Sequence, residues 1–216
     1  MKTDFYITTP LYYVNDKPHI GHAYTTVLCD AFARFHRLIG HEVYFLTGTD
    51  EHGEKVAQTA KQQGNDVQQH TDMMVEHFKN AWKKLNIQYD DFIRTTEERH
   101  TEVVSNVIRC LVSSGDIYKD SYEGWYCVPC ESFWTKSQLS EEKCPDCGRP
   151  VKHIKEENYF FKLSSYQEWL IDYIYENENF ILPRGKRQEI LSFLKDPLED
   201  LCISRPRTRL SWGIPF

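Results

Sequence analysis

The sequence predicts an α/β protein: a Rossmann-like, doubly wound parallel sheet with a small β subdomain of paired cysteines inserted in it. Three observations carry that prediction. Aromatic and β-branched runs at Phe5–Thr9 and Val43–Leu46 flank a helical pattern, which makes a βαβ unit. A helix, a short strand at Phe92 and Ile93, and another helix continue the alternation to Gly115. Beyond Gly115 the chain turns to Tyr, Trp and Asp and then to two Cys-x-x-Cys pairs, a pattern foreign to a wound sheet.

The first strand ends at Pro10, which cannot donate to a ladder, and residues 15–18 (Asn-Asp-Lys-Pro) form a turn. The helix opens on His19-Ile20-Gly21-His22. Histidines three apart share a helix face beside the unpaired N–H groups of the first turn, which is where anions bind. An isolated His-x-x-His is also an ordinary polar helix start. Here a right-handed crossover places it outside the carboxyl ends of two parallel strands, the ligand edge of an open α/β sheet. Ala23, Val27, Ala31, Phe35 and Leu38 recur at helical spacing and are expected to face the core, with Gly40 as the stop.

The second strand is expected to run out at Leu46 into the polar turn Thr47-Gly48-Thr49-Asp50-Glu51-His52-Gly53. Asp50 then reaches the same end of the sheet as His19 and His22, as a cap for the next helix, a ligand contact, or both. That helix carries Val56, Ala57 and Ala60 to Gly64. A longer one, about Asp66 to Leu85, puts Met74, Phe78, Trp82 and Leu85 on one stripe, which is core packing. Thr95 with Glu98 has the spacing of a capping box, for a helix burying Val103, Val104, Val107 and Leu111.

Residues 117–126 carry a hairpin signature around Gly124 and lead to Cys127-Val128-Pro129-Cys130; Cys144-Pro145-Asp146-Cys147-Gly148 follows after thirteen intervening residues. Each pair can fold as a knuckle with both thiolates aimed at one ion, and two knuckles give the four sulfurs of a structural zinc site. A redox dithiol needs one pair and a thioredoxin-like surrounding that is absent. Two further strands, at 151–154 and 159–163, lead back to the main domain. Ser165 with Glu168 suggests a second capping box, for a helix with Trp169, Leu170, Tyr173 and Ile174, and a last helix runs from Pro183 to Leu194. A strand at 201–206 then empties into a loop, placing Arg205 at the ligand end of the sheet or on the surface. The expected organisation is 1–116 as the first half of the wound domain, 117–163 as the connective insert, and 164–216 as the return to the domain, truncated before its second half.

With 216 residues, 40% apolar, the chain can bury one ample core, and no apolar run approaches the roughly 20 residues of a membrane span. No secretory leader precedes the first strand, so a cytoplasmic location is expected and the cysteines read as metal ligands rather than disulfides. A net charge of −6 argues against wholesale electrostatic capture of nucleic acid. The basic clusters Arg184, Lys186, Arg187 and Arg205, Arg207, Arg209 read as solvated faces. Cys29, Cys110 and Cys202 fall on apolar faces and are expected in the core. The apolar ending Trp212-Gly213-Ile214-Pro215-Phe216 reads as cut rather than finished.

Taken together, the residues resemble the amino-terminal half of a methionyl-tRNA synthetase, a class I aminoacyl-tRNA ligase, over the whole chain. Pro18-His19-Ile20-Gly21-His22 matches the family's first signature and Tyr12-Tyr13-Val14-Asn15 the segment before it. Gly48-Thr49-Asp50-Glu51-His52-Gly53, Ile203-Ser204-Arg205 and the paired knuckles of the zinc-bearing insert follow in the family's order. The resemblance implies activation of methionine with ATP and Mg2+ to methionyl-adenylate, then transfer to the terminal ribose of tRNA. It implies His19, Gly21, His22 and Arg205 as catalytic residues, Leu11, Tyr12, Tyr13 and Asp50 at the amino-acid pocket, and one zinc on Cys127, Cys130, Cys144 and Cys147. Gly21 would let the adenine lie close, and Asp50 would hold the methionine ammonium.

Synthetases for isoleucine, valine and leucine share the first signature but carry a large editing domain, for which residues 118–154 leave no room. The cysteine enzyme binds its zinc with mixed ligands. The family's Lys-Met-Ser-Lys-Ser loop is absent from the sequence, so either this is a fragment or a partner chain supplies the second half. A non-catalytic zinc-bearing α/β module that binds RNA or protein is the alternative of a different class, and a small nucleotidyltransferase with a similar His-x-Gly-His turn is disfavoured by the insert.

Overall fold

A computed structural model describes residues 4–130 and 132–216 of the chain. Strand β1 (Asp4–Thr8) and the short β2 (Tyr12–Tyr13) lead into α1 (Ile20–Leu38), then β3 (Glu42–Asp50), α2 (Glu54–Gln62), α3 (Val67–Lys84), β4 (Asp91–Arg94) and α4 (Glu98–Ser114). Strand β3 is central: β1 and then β2 pair with one of its edges and β4 with the other, all parallel. This is the expected wound sheet, with one difference of extent. Residues Thr47 to Asp50 continue β3 rather than forming a turn, because they find ladder partners in β4 and β2. At Gly48 the approach of β4 requires the missing side chain, since an added Cβ would lie 2.0 Å from the carbonyl oxygen of Ile93.

The largest core cluster joins Tyr12, Val14, Val56, Met74, Val75, Phe78, Trp82 and Phe92, each worth about 1.5–3 kcal/mol when fully buried. Helix α3 supplies the expected stripe through Trp82, whereas Leu85 stays 45% exposed. Helix α1 turns a different face inward from the one its apolar spacing predicts. Thr26, Cys29, Asp30 and Ala33 are buried, while Val27, Phe35 and Leu38 are exposed. The inner face is polar because it is tied down: Thr26 meets the Tyr12 hydroxyl at 2.7 Å, and Asp30 accepts from Arg34 Nε at 2.6 Å and from the Gln88 N–H at 2.8 Å.

Helix α4 likewise buries none of its residues, with Val103 and Val107 exposed, and it begins after Glu97 rather than on a Thr95–Glu98 box. The Thr95 hydroxyl is engaged elsewhere, accepting from the Glu51 N–H at 2.9 Å. Gly115 ends α4 in the left-handed conformation, φ 80°, as its position predicts.

A second, antiparallel sheet follows. Strand β5 (Ile117–Cys127) is one continuous strand rather than a hairpin, and it pairs along its length with β7 (Lys152–Phe161), which replaces the two expected short strands. Strand β6 (Ser132–Trp134) lies on the other side of β5. Helices α5 (Gln167–Glu176) and α6 (Arg184–Phe193) pack around Ile174, Leu191 and Leu194. Helix α5 has no side-chain cap from Ser165, because a short 3₁₀ turn over Leu163–Tyr166 precedes it, and Trp169 on it is exposed.

The last strand, β8 (Leu201–Cys202), pairs with β7, so it extends the antiparallel sheet and not the parallel one. Cys29 is buried and Cys202 half-buried, but Cys110 is exposed on α4 instead of lying in the core. Among the described residues no helix is long and apolar enough to cross a membrane.

Candidate active site and four-cysteine centre

The crossover from β1 to β3 brings the start of α1 and the end of β3 to the same edge of the parallel sheet. His19 is the N-cap of α1, and its Nδ1 accepts the Gly21 N–H at 3.1 Å. His22 closes the box in return, its Nδ1 accepting the His19 N–H at 3.1 Å. The two rings stack at 3.8 Å. With both Nδ1 atoms accepting, the neutral rings carry their protons on Nε2, and those N–H groups are the donors left for a ligand. No acidic side chain occupies the first turn, which leaves its positive end for an anion.

Gly21 serves this pair directly: a Cβ there would lie 2.9 Å from Cε1 of His19. The missing side chain leaves room for an imidazole of this chain. Beneath the pair, Tyr12 is only 5% exposed. Its ring meets His22 edge-on at 4.9 Å and its hydroxyl bonds Thr26, so Tyr12 supports the histidines from below.

Tyr13 and Asp50 are register partners of β2 and β3, so their side chains leave the sheet on one face. Leu11, 38% exposed, precedes them. Asp50 is not a helix cap, since Gly53 with φ 114° takes that position before α2. Arg205 shares a cavity with His52 and Gly53, which closely follow Asp50. It follows β8 on the antiparallel sheet, and its guanidinium stands 4.6 Å over the Phe133 ring and 5.4 Å over Tyr126. A cavity of about 750 Å3 includes Arg205, His52, Gly53, Tyr159 and Trp212 in its walls, but not His19, His22 or Asp50.

The residue that sequence reasoning passed over is Glu51. It is fully buried, and its carboxylate accepts from Arg94 Nε and Nη2 at 2.7 and 2.8 Å, from Thr49 Oγ1 at 2.6 Å and from Thr96 Oγ1 at 2.7 Å. Arg94 reaches on to Asp72 of α3 at 2.6 Å, and Glu51 above all raises its pKa further. The available signal was an acidic residue at a strand end facing an arginine at the end of the next strand.

Cys127, Cys130, Cys144 and Cys147 converge, with all four sulfurs within 4.8 Å of one another. The Cys127–Cys147 and Cys130–Cys144 separations are 3.5 and 3.9 Å. A tetrahedron of about 2.3 Å metal–sulfur bonds has edges of about 3.8 Å, so the group can hold a metal ion with little movement. Burial opposes ionisation of Cys144, but the N–H groups of Cys147 and Asp146, with the neighbouring thiols, outweigh it and lower its pKa, whereas burial raises that of Cys127 and the hydrogen bond with Cys147 raises that of Cys130.

His22 has its pKa lowered by burial and then by His19, and His52 by burial, with His100 adding and Glu51 opposing. Both imidazoles therefore bind protons less readily in the fold than at their usual 6.5. Where the unfolded chain binds more protons, stability rises with pH, so this contribution is present above 6.5 and is lost as pH falls through the lower folded values. The expected outcome is a lower urea midpoint at about pH 5.5 than at about pH 7.5, in a range above carboxylate titration, with the difference reduced in His22→Gln.

The family described as tRNA synthetases class I (M) matches residues 5–153 and 148–216. Methionine–tRNA ligases of Clostridium tetani and Caldanaerobacter subterraneus are 57% and 54% identical, over 99% and 100% of this chain. The chain spans about a third of the length of these curated relatives, 33% and 34%. The Mycobacterium tuberculosis methionyl-tRNA synthetase in complex with methionyl-adenylate superposes with a TM-score of 0.91 at 42% identity, over 98% of this chain and 42% of that one.

Proposed function

This chain belongs to the class I tRNA synthetases of the methionine type, and we propose that it is the amino-terminal catalytic half of a methionine–tRNA ligase. The proposed reaction joins methionine and ATP into methionyl-adenylate and pyrophosphate, and then passes the methionyl group to the terminal ribose of tRNA. The observation that carries it is the reciprocal His19–His22 cap at the start of α1, on the sheet edge that also ends in Asp50. No protein nucleophile is needed. The methionine carboxylate attacks the α-phosphorus of ATP, a bond to oxygen forms, and the bond to the pyrophosphate oxygen breaks.

In this reading His19 and His22 present neutral Nε2–H donors and the helix end to phosphate oxygens as charge grows on them. Tyr12 keeps the His22 ring in place. Asp50 takes the methionine ammonium, beside Tyr13 and Leu11 as one wall of the side-chain pocket. Gly21 admits both His19 and the nucleotide close to the backbone. Arg205, held over Phe133, would reach the phosphates or the carboxylate from the antiparallel sheet. ATP enters with Mg2+. The opposite wall and the loop that closes on ATP belong to the rest of the polypeptide, which the exposed outer face of α1 is suited to receive.

Residues 117–163 act as the connective insert and 164–216 as the return segment, with β8 fastening that segment to the insert. Cys127, Cys130, Cys144 and Cys147 would hold one zinc ion, which orders the insert and leaves no ligand position open for chemistry. A non-catalytic RNA- or protein-binding module remains the competing reading; methionine and ATP together would then leave the melting temperature unchanged.

The direct test is methionine-dependent ATP–pyrophosphate exchange by the complete polypeptide. His22→Ala is expected to slow adenylate formation by about two or more powers of ten with little change in methionine affinity, as for a group acting on the transition state. A loss of affinity without a loss of rate would refute that role. For the metal, about one zinc per chain is expected, and Cys144→Ser should release it and loosen β5 and β6 while leaving the parallel sheet folded. Metal analysis and hydrogen exchange on the same samples check both parts.

A further inference from the structure

Trp212 lies 161 positions beyond Glu51 in sequence, yet its indole N–H donates to the Glu51 carbonyl at 2.6 Å. Every other polar group of Glu51 is engaged within the parallel domain: the carboxylate by Arg94, Thr49 and Thr96, and the N–H by the Thr95 hydroxyl. The carbonyl falls in the turn between β3 and α2, past the end of the strand ladder and before the helix, so regular structure offers it no partner. The indole also lies 5.5 Å from the His52 ring.

The other end of the strap that carries Trp212 is fixed to the antiparallel sheet. The Ile203 N–H donates to the Tyr159 carbonyl at 2.9 Å, the Tyr159 N–H to Ser204 Oγ at 2.8 Å, Arg209 pairs with Glu156 at 3.2 Å, and Phe216 meets the Tyr159 ring at 5.4 Å. The strap therefore crosses from the sheet of the insert to the peptide that follows Asp50.

We propose that Trp212 is a positioning residue for the amino-acid pocket: its indole N–H fixes the Glu51 carbonyl, and with it the direction in which Asp50 leaves β3. The proposal rests on the functional reading of Asp50 given above. A ring that merely fills space could be any aromatic residue; a 2.6 Å contact from a nitrogen to a buried residue's carbonyl uses the one polar atom that tryptophan adds.

The test compares Trp212→Phe, which keeps a ring and loses the donor, with Trp212→Leu, which loses both. Methionine KM, ATP KM and kcat are measured by pyrophosphate exchange in the complete polypeptide, and amide exchange at residues 51–53 is measured on the same proteins. Both variants are expected to raise methionine KM about ten-fold, with kcat and ATP KM within about two-fold, and to speed exchange at 51–53. A purely structural role would lower kcat through the active fraction at unchanged KM, and that result overturns the proposal, as does a Trp212→Phe protein that matches the unaltered one. If the unaltered polypeptide shows no methionine-dependent exchange, the functional reading fails instead, and unchanged amide exchange in Trp212→Phe then refutes the hold on Glu51 independently.

Discussion

The ion pair between Glu51 and Arg94 is the constraint on which the ligand end of the parallel sheet depends. A buried carboxylate is tolerable only if its charge is met and its lone pairs are filled, and here a bidentate guanidinium and two hydroxyls do both. The partners come from different elements: Arg94 ends β4, Thr96 follows it, and Asp72 of α3 takes the outer side of the same guanidinium. One carboxylate thus locks β3, β4 and α3 together directly after Asp50. Because total stability is only about 5–15 kcal/mol, a pair whose rupture costs about 3–5 kcal/mol is decisive.

From that fixed end the site is built outward on rigid supports. Tyr12 and Thr26 brace His22, the two histidines cap one another, and the missing Cβ of Gly21 makes room for the stack. These groups hold one another through contacts within the chain, so their geometry does not wait on a ligand. The pocket side is different. Leu11 is open to solvent and Tyr13 and Asp50 are half-buried, which leaves this side of the site less enclosed than the histidine pair.

The wound sheet, the first signature and the cysteine centre were legible in the sequence because each rests on local pattern: alternating elements, a proline before a histidine pair, and fixed knuckle spacing. The errors have a common physical source. Helix α1 buries Thr26 and Asp30, which bond across to Tyr12, Arg34 and Gln88, so apolar periodicity pointed to the wrong face. Thr95 looked like a cap, but a long-range partner, the Glu51 N–H, claims its hydroxyl. Strand β8 looked like a return to the parallel sheet, yet two residues of ladder with β7 decide its place, and no local feature announces that pairing. Arg205 therefore leaves the antiparallel sheet, not the parallel one. The Glu51 network and the Trp212 contact join residues far apart in sequence, which spacing alone does not reveal.

The most direct measurement of the central claim is a double-mutant cycle at Glu51 and Arg94 by urea unfolding. Glu51→Gln alone is predicted to lose about 3–5 kcal/mol, because it leaves the inner side of the guanidinium without its counter-charge and Asp72 meets only the outer side, while Glu51→Gln combined with Arg94→Met costs less than the sum of the two single losses by at least about 1.5 kcal/mol. A single Glu51→Gln substitution that costs less than about 1 kcal/mol would contradict the account, since the end of β3 would then be held by packing alone.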